Sequence, residues 1–194
     1  MTDKALLVID FIKDLAHPDG KVAACSRHVQ EQDAITHANQ ALAHARARGW
    51  LVILVKVGFE ANYHLQPKGS PIFGRAQEFG ALRLDGEGGE FHPDLAVLGT
   101  DLVLEKPRVS PFYGTALEAA LRVNGIEHLY LCGISTTWAI QAAARDGHDR
   151  DYRITILEDA CAAADANEHH ASLRQLGRIA EVIRVEQLVS AQGR

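Results

Sequence analysis

Apolar positions fall along this chain in short, nearly unbroken runs that alternate with longer stretches of helical spacing. Residues 4–10 (KALLVID) are almost wholly apolar up to Asp10, as in a strand covered on both faces. Residues 31–48 place apolar or small side chains at Ile35, Ala38, Leu42 and Ala45, a helical period that Gly49 ends. Trp50 to Val55 reads as the next strand. The alternation predicts further strands over 101–105, 128–132, 152–157 and 181–185, with helices around 114–124, 136–147 and 167–178. Strands and helices joined by short connections give right-handed crossovers. The expected architecture is therefore α/β: a three-layer α/β/α arrangement with a mostly parallel six-stranded sheet of Rossmann-like topology.

Residues 58–100 break this rhythm. They are rich in glycine, carry Pro67, Pro71 and Pro93, and hold no long apolar period. An excursion of this length inside a compact chain reads as a lid or a partner-binding element. No repeat or linker composition appears elsewhere, so residues 1–194 read as one domain.

Composition changes this picture little. The 194 residues are 47% hydrophobic and 23% charged, enough for one sizeable core. A net charge of -5 with no basic tract speaks against nucleic-acid binding. The basic residues between Arg145 and Arg153 alternate with Asp146, Asp149 and Asp151, so they read as a solvated helix end. No apolar run approaches the length of a membrane span, and the opening Met1–Lys4 leads straight into the first strand without a signal-like segment. Three scattered cysteines, Cys25, Cys132 and Cys161, fit reduced thiols in the cytoplasm better than a disulfide framework.

In an open parallel sheet, ligands bind beyond the carboxyl ends of the strands. Asp10 closes the first strand, Lys106 follows the third, and Gly133–Thr137 turns from the fourth into a helix. Each feature alone has an ordinary explanation: an acidic turn cap, a solvated lysine, a helix start. Together they would place a proton-transfer pair beside backbone N–H groups able to meet a polar ligand.

These residues also carry a resemblance. ALLVIDF at 5–11, EKPRVSPFYGTALEAAL at 105–121 and LCGISTTWAIQAAARDGHDRDYRITILEDAC at 131–161 resemble, in order, the aspartate strand, lysine motif and nucleophile segment of the isochorismatase-like hydrolases. The resemblance reaches from the first strand to about residue 185. It implies that Asp10 is the general acid/base, that Lys106 is its electrostatic partner, and that a cis peptide lies at Ile134–Ser135. It also implies a small-molecule substrate and a homodimer or higher homo-oligomer.

One position departs from the pattern. Amidase members of the family read Gly-Val-x-Thr-x-x-Cys-Val, whereas this chain reads Gly133-Ile134-Ser135-Thr136-Thr137-Trp138-Ala139-Ile140. The nucleophilic cysteine therefore falls on Ala139. Thiol catalysis needs a thiolate, and no substitute stands out. Cys132 reads as a core residue, Ser135 and Thr136 as helix caps, and Cys25 and Cys161 lie outside the matched positions. Three readings stay open: hydrolysis by Asp10 and Lys106 without a covalent step, as on a vinyl ether; a C–N amidohydrolase whose cysteine was replaced; and an inactive member that binds a ligand or partner. Trp138 and Thr137 also differ from the amidase pattern, which favours natural divergence over a single planned Cys-to-Ala change.

Phe11, Phe112, Tyr113 and Trp138 are candidate apolar contacts for substrate, Arg108 a candidate carboxylate clamp, and Ser135 and Thr136 candidate polar contacts. The nicotinamidase branch binds a metal through Asp-x-His and a later His. The matching stretch Lys56–His64 lacks that pattern, so no metal and no cofactor are expected, and Glu60 and His64 read as surface or lid residues.

Overall fold

The computed structural model describes residues 2–190. Six strands form one parallel sheet: β1 Lys4–Ile9, β2 Leu51–Val57, β3 Leu102–Lys106, β4 His128–Ile134, β5 Arg153–Ala162 and β6 Glu181–Ile183, in the order β3-β2-β1-β4-β5-β6. Every pairing is parallel, so "mostly parallel" becomes wholly parallel. Ala5 to Ile9 are all buried, because β1 is flanked by β2 and β4 and covered on both faces. That environment explains its unbroken apolar run.

Eight α-helices accompany the sheet among the described residues: α1 Lys13–Ala16, α2 Ser26–Glu31, α3 Ala34–Ala47, α4 Ala76–Phe79, α5 Leu117–Val123, α6 Gln141–His148, α7 Ala166–Leu176 and α8 Val185–Ser190. α3 packs on β1, β2, β5 and α8, while α6 packs on β4, β5 and α7. Chain progression reverses between β1 and β4, so right-handed crossovers put these two groups on opposite faces of the sheet.

Several predicted boundaries move. The stretch 31–48 divides into the end of α2 and all of α3, because Asp33 takes a left-handed φ of 53° between them. The last predicted strand stops at Ile183, and α8 follows. Its first turn is anchored by the buried Asp159, whose Oδ1 accepts from the Val185 N–H at 2.9 Å. β5 runs on to Ala162 through an irregularity in its pairing with β4, longer than its apolar core suggested.

The 58–100 excursion is folded, with a small core of its own. Phe59, Tyr63, Phe73, Ala76, Ala81 and Leu82 bury against Ile12 and Val57. Phe59 and Phe73 meet edge to face at 5.7 Å. Asp14 clamps this region to α1 and the segment after it: its carboxylate accepts from Leu82 N–H at 2.6 Å and Lys21 N–H at 3.2 Å. Only glycine fits at Gly88, where a Cβ would lie 2.2 Å from Asp14 Oδ2.

Candidate active site

The order in which strands are added reverses between β1 and β4, and the crevice opens at their carboxyl ends. The close approach there depends on Gly133: it has φ 127°, and a Cβ would sit 2.0 Å from the Ile9 carbonyl oxygen. Across from it, Asp10 leaves β1 with a left-handed φ of 61°, a conformation that aspartate tolerates better than most residues. The turn drops the Asp10 carboxyl to the floor of a crevice of about 270 Å³.

Asp10 and Lys106 form a buried pair, Oδ2 to Nζ 2.7 Å, with the two residues 3% and 1% exposed. Asp10 Oδ1 accepts from the Val57 N–H at 2.8 Å. The Lys106 ammonium also donates to the carbonyls of Arg108 at 3.2 Å and Val109 at 3.0 Å, so all three of its protons have acceptors. Burial raises the Asp10 pKa above the usual aspartate value. Lys106 and the Val57 N–H pull it back without cancelling the effect. A carboxyl in this state can hold a proton at a pH where a solvated aspartate has lost it, and can deliver it to a bound molecule.

The turn after β4 forms the next side. The Ile134–Ser135 peptide is cis, at the position the resemblance implied. Thr136–Ile140 is a π-helical turn leading into α6, and Ser135 caps it by accepting from the Trp138 N–H at 3.2 Å. Ala139 is 3% exposed and presents its methyl group to the crevice. Trp138 is 56% exposed and stands at the mouth.

Of the ten candidate residues, Asp10, Lys106, Ala139, Ser135 and Trp138 line this crevice. The other five lie elsewhere. Phe11 is wholly buried in the main core and does not line the crevice. Arg108 donates to the carbonyls of Leu65 and Pro107 and lies over the Tyr113 ring, so its guanidinium is engaged outside the crevice, and Tyr113 is exposed beside it. Phe112 packs against Tyr152 and under Arg150. Thr136 does not cap the turn; its hydroxyl lies 2.8 Å from His169 Nδ1, in the protein interior.

Other lining residues were not foreseen. Val22, Ala24 and Cys25 approach from the segment before α2, Ala164 and Glu168 from the start of α7, and Ile72, Phe73, Arg75, Ala76, Phe79 and Leu82 from the excursion. Cys25 therefore does reach the crevice. Burial first, and Glu168 second, push its thiol pKa up to about 11, the opposite of what an attacking thiolate needs. Cys132 and Cys161 are buried and also shifted upward. Glu60 lies apart from the crevice, accepting from the Leu65 N–H at 2.9 Å. Among the described residues, no three His, Cys, Asp or Glu side chains are grouped as metal ligands, and no helix is long and apolar enough to cross a membrane.

An acid–amine pair thus sits at the switch point of a β3-β2-β1-β4-β5-β6 α/β sheet, beside a helix-starting turn. Residues 4–187 match the Isochorismatase domain, and the chain belongs to the isochorismatase family of hydrolases. It is 34% identical over 164 residues to YecD, an uncharacterized isochorismatase family protein of Escherichia coli O157:H7, covering 82% of this chain and 83% of that protein. It is 32% identical over 169 residues to the ureidoacrylate amidohydrolase RutB of Klebsiella pneumoniae (strain 342), covering 80% and 72%. The crystal structure of an isochorismatase family protein from Desulfovibrio vulgaris subsp. vulgaris str. Hildenborough superposes with a TM-score of 0.87 at 23% identity, over 100% of both chains. That likeness establishes the fold.

Proposed function

We propose that this chain hydrolyses a small molecule by acid–base catalysis, with Asp10 as the proton-transfer group, Lys106 as its electrostatic partner and water as the nucleophile. The observation that carries this reading is the buried Asp10–Lys106 pair, its carboxyl pKa raised by burial, facing the methyl of Ala139 across the crevice. A thiol ester cannot form at Ala139, and the three thiols elsewhere are all held in the protonated form.

A vinyl ether suits this arrangement. Protonated Asp10 delivers its proton to the vinyl carbon, and the ether oxygen stabilises the resulting cation. Water adds, giving a proton back to Asp10, and the hemiketal breaks into an alcohol and a carbonyl compound. Lys106 holds Asp10 in place and stabilises the carboxylate formed after proton delivery. A crevice of about 270 Å³ lies just under the range of about 300–1,000 Å³ typical for drug-sized ligands, which favours a metabolite-sized substrate. The likeness to the ureidoacrylate amidohydrolase makes ureido acids the second substrate class, with water replacing the thiol.

The test is a product-release screen of small vinyl ethers, ureido acids and primary amides with the wild-type chain and Asp10→Asn. Turnover that Asp10→Asn lowers by about a thousandfold or more supports the reading. Activity should also fall as pH rises and Asp10 loses its proton. Binding of a panel compound without turnover would instead favour a ligand-binding member that does no chemistry.

A further inference from the structure

Behind one wall of the crevice lies a set of buried polar side chains that the acid–base reading does not use. Thr136 and His169 are 0% and 2% exposed, and Thr136 Oγ1 lies 2.8 Å from His169 Nδ1. His169 Nε2 lies 3.2 Å from the Gln32 side-chain nitrogen, which also donates to the Cys161 carbonyl at 3.5 Å. His28 accepts from the Ala163 N–H at 3.1 Å, and its ring meets that of His169 at 5.2 Å. Three of its members adjoin crevice-lining residues: Thr136 follows Ser135, His169 follows Glu168, and Ala163 precedes Ala164.

The proton positions in this set follow from donor chemistry. An amide nitrogen only donates, so His169 Nε2 must be the acceptor from Gln32. Burial, with His28 and His170 close by, brings the His169 pKa down to about 4, so the ring is neutral at pH 7. Its single proton is then on Nδ1, directed at the Thr136 hydroxyl oxygen.

We propose that His169 is a positioning residue: by donating from Nδ1 to Thr136, it holds the Ser135–Ala139 turn in place against Asp10. This rests on the crevice being the reaction site. The turn needs an outside support because π-helical turns occur mostly as isolated irregularities within α-helices, and this one bonds elsewhere through its side chains. α7 provides a fixed base: Asp165 caps it, accepting from the Glu168 N–H at 2.9 Å. Two neighbouring contacts then join helix to turn, His169 to Thr136 and Glu168 to the Thr137 hydroxyl at 3.3 Å. A shift of the turn by about 1 Å would be felt as a rate loss on the order of a hundredfold.

The test uses four variants of the full chain: Thr136→Val, which removes the acceptor without changing shape; His169→Phe; His169→Asn, which keeps a donor where Nδ1 lies; and His170→Asn as a neighbouring control. Amide hydrogen exchange at residues 135–140 is read against the amides of β1. Relative to β1, exchange in the turn should rise by about tenfold in Thr136→Val and His169→Phe, and should return to within about threefold in His169→Asn. Ring-nitrogen NMR of the wild type should show the His169 proton on Nδ1. With any compound turned over in the screen, kcat should fall by about tenfold or more in the first two variants, with KM within about twofold. Unchanged turn exchange in Thr136→Val overturns the proposal even if His169→Phe fails to fold. A proton on Nε2, or a lowered Tm with normal kcat and normal turn exchange, also overturns it. If the wild type turns over nothing, the hydrolase reading fails, while exchange and NMR still decide the role of His169.

Discussion

The crevice has two walls held by different forces. The wall built from the β4 turn and the start of α7 rests on directed bonds: Ser135 to Trp138, Thr136 to His169, and Asp165 capping α7. The wall supplied by the excursion rests on Phe59, Phe73, Ala76 and Leu82 packed in a small apolar core. Directed bonds fix atoms to within a few tenths of an ångström, whereas apolar packing tolerates similar shapes. The bonded wall is thus suited to holding the groups that react, and the packed wall to shaping what enters.

The floor joins both walls, and breaking it should have the largest effect. Lys106→Met leaves the Asp10 carboxyl buried without its partner, and urea denaturation should show a loss of about 3–5 kcal/mol. On the packed wall, Phe73→Ala should cost about 3 kcal/mol by the same measurement. With a turned-over substrate it should raise KM more than it lowers kcat, and an equal loss in kcat would erase the distinction between the walls.

The bonded wall has a pH signature. The folded-state pKa of His169 is about 4, below the ordinary 6.5. The unfolded chain therefore binds the extra proton first, and this contribution to stability grows as pH rises from about 4 to 6.5. Wild type and His169→Asn, compared by denaturation across that window, should diverge by up to about 1.4 kcal/mol per pH unit. Asp10 acts with the opposite sign, since its raised pKa weakens stability as pH rises above the usual aspartate value, but both proteins share it. Parallel profiles would contradict the buried neutral ring.

The smallest effect should come from Cys25. Its thiol is protonated at neutral pH, so Cys25→Ala should leave turnover within about twofold, and alkylation at pH 7 should be slow. Rapid alkylation would mean that a thiolate lines the crevice after all.

What could be read from the sequence follows the same division. The strands, Asp10, Lys106 and the Gly133–Ala139 turn were legible because buried parallel strands leave unbroken apolar runs and chemistry collects at their ends. The excursion was not, because its core draws on scattered residues with no period, so Phe73, Arg75 and Phe79 gave no sign of facing the crevice. Aromatic identity misled at Phe11 and Phe112, since adjacency to a motif does not reveal which way a side chain points. Arg108 misled for a similar reason: backbone carbonyls already occupy its guanidinium. The Gln32–His169–Thr136 set joins three distant segments, and no local spacing announces it.

The strand order bears on how the chain comes to have a site during synthesis. β1 emerges first, yet its partners β2 and β4 and the lysine at the end of β3 come from sequence as far on as residue 134. Until those segments dock, Asp10 is an ordinary solvated acid on a nascent chain. Its altered acidity is thus a late property of the polypeptide, acquired only when a hundred or so further residues have been made and packed. A titration that follows this one carboxyl during refolding would time the completion of the sheet.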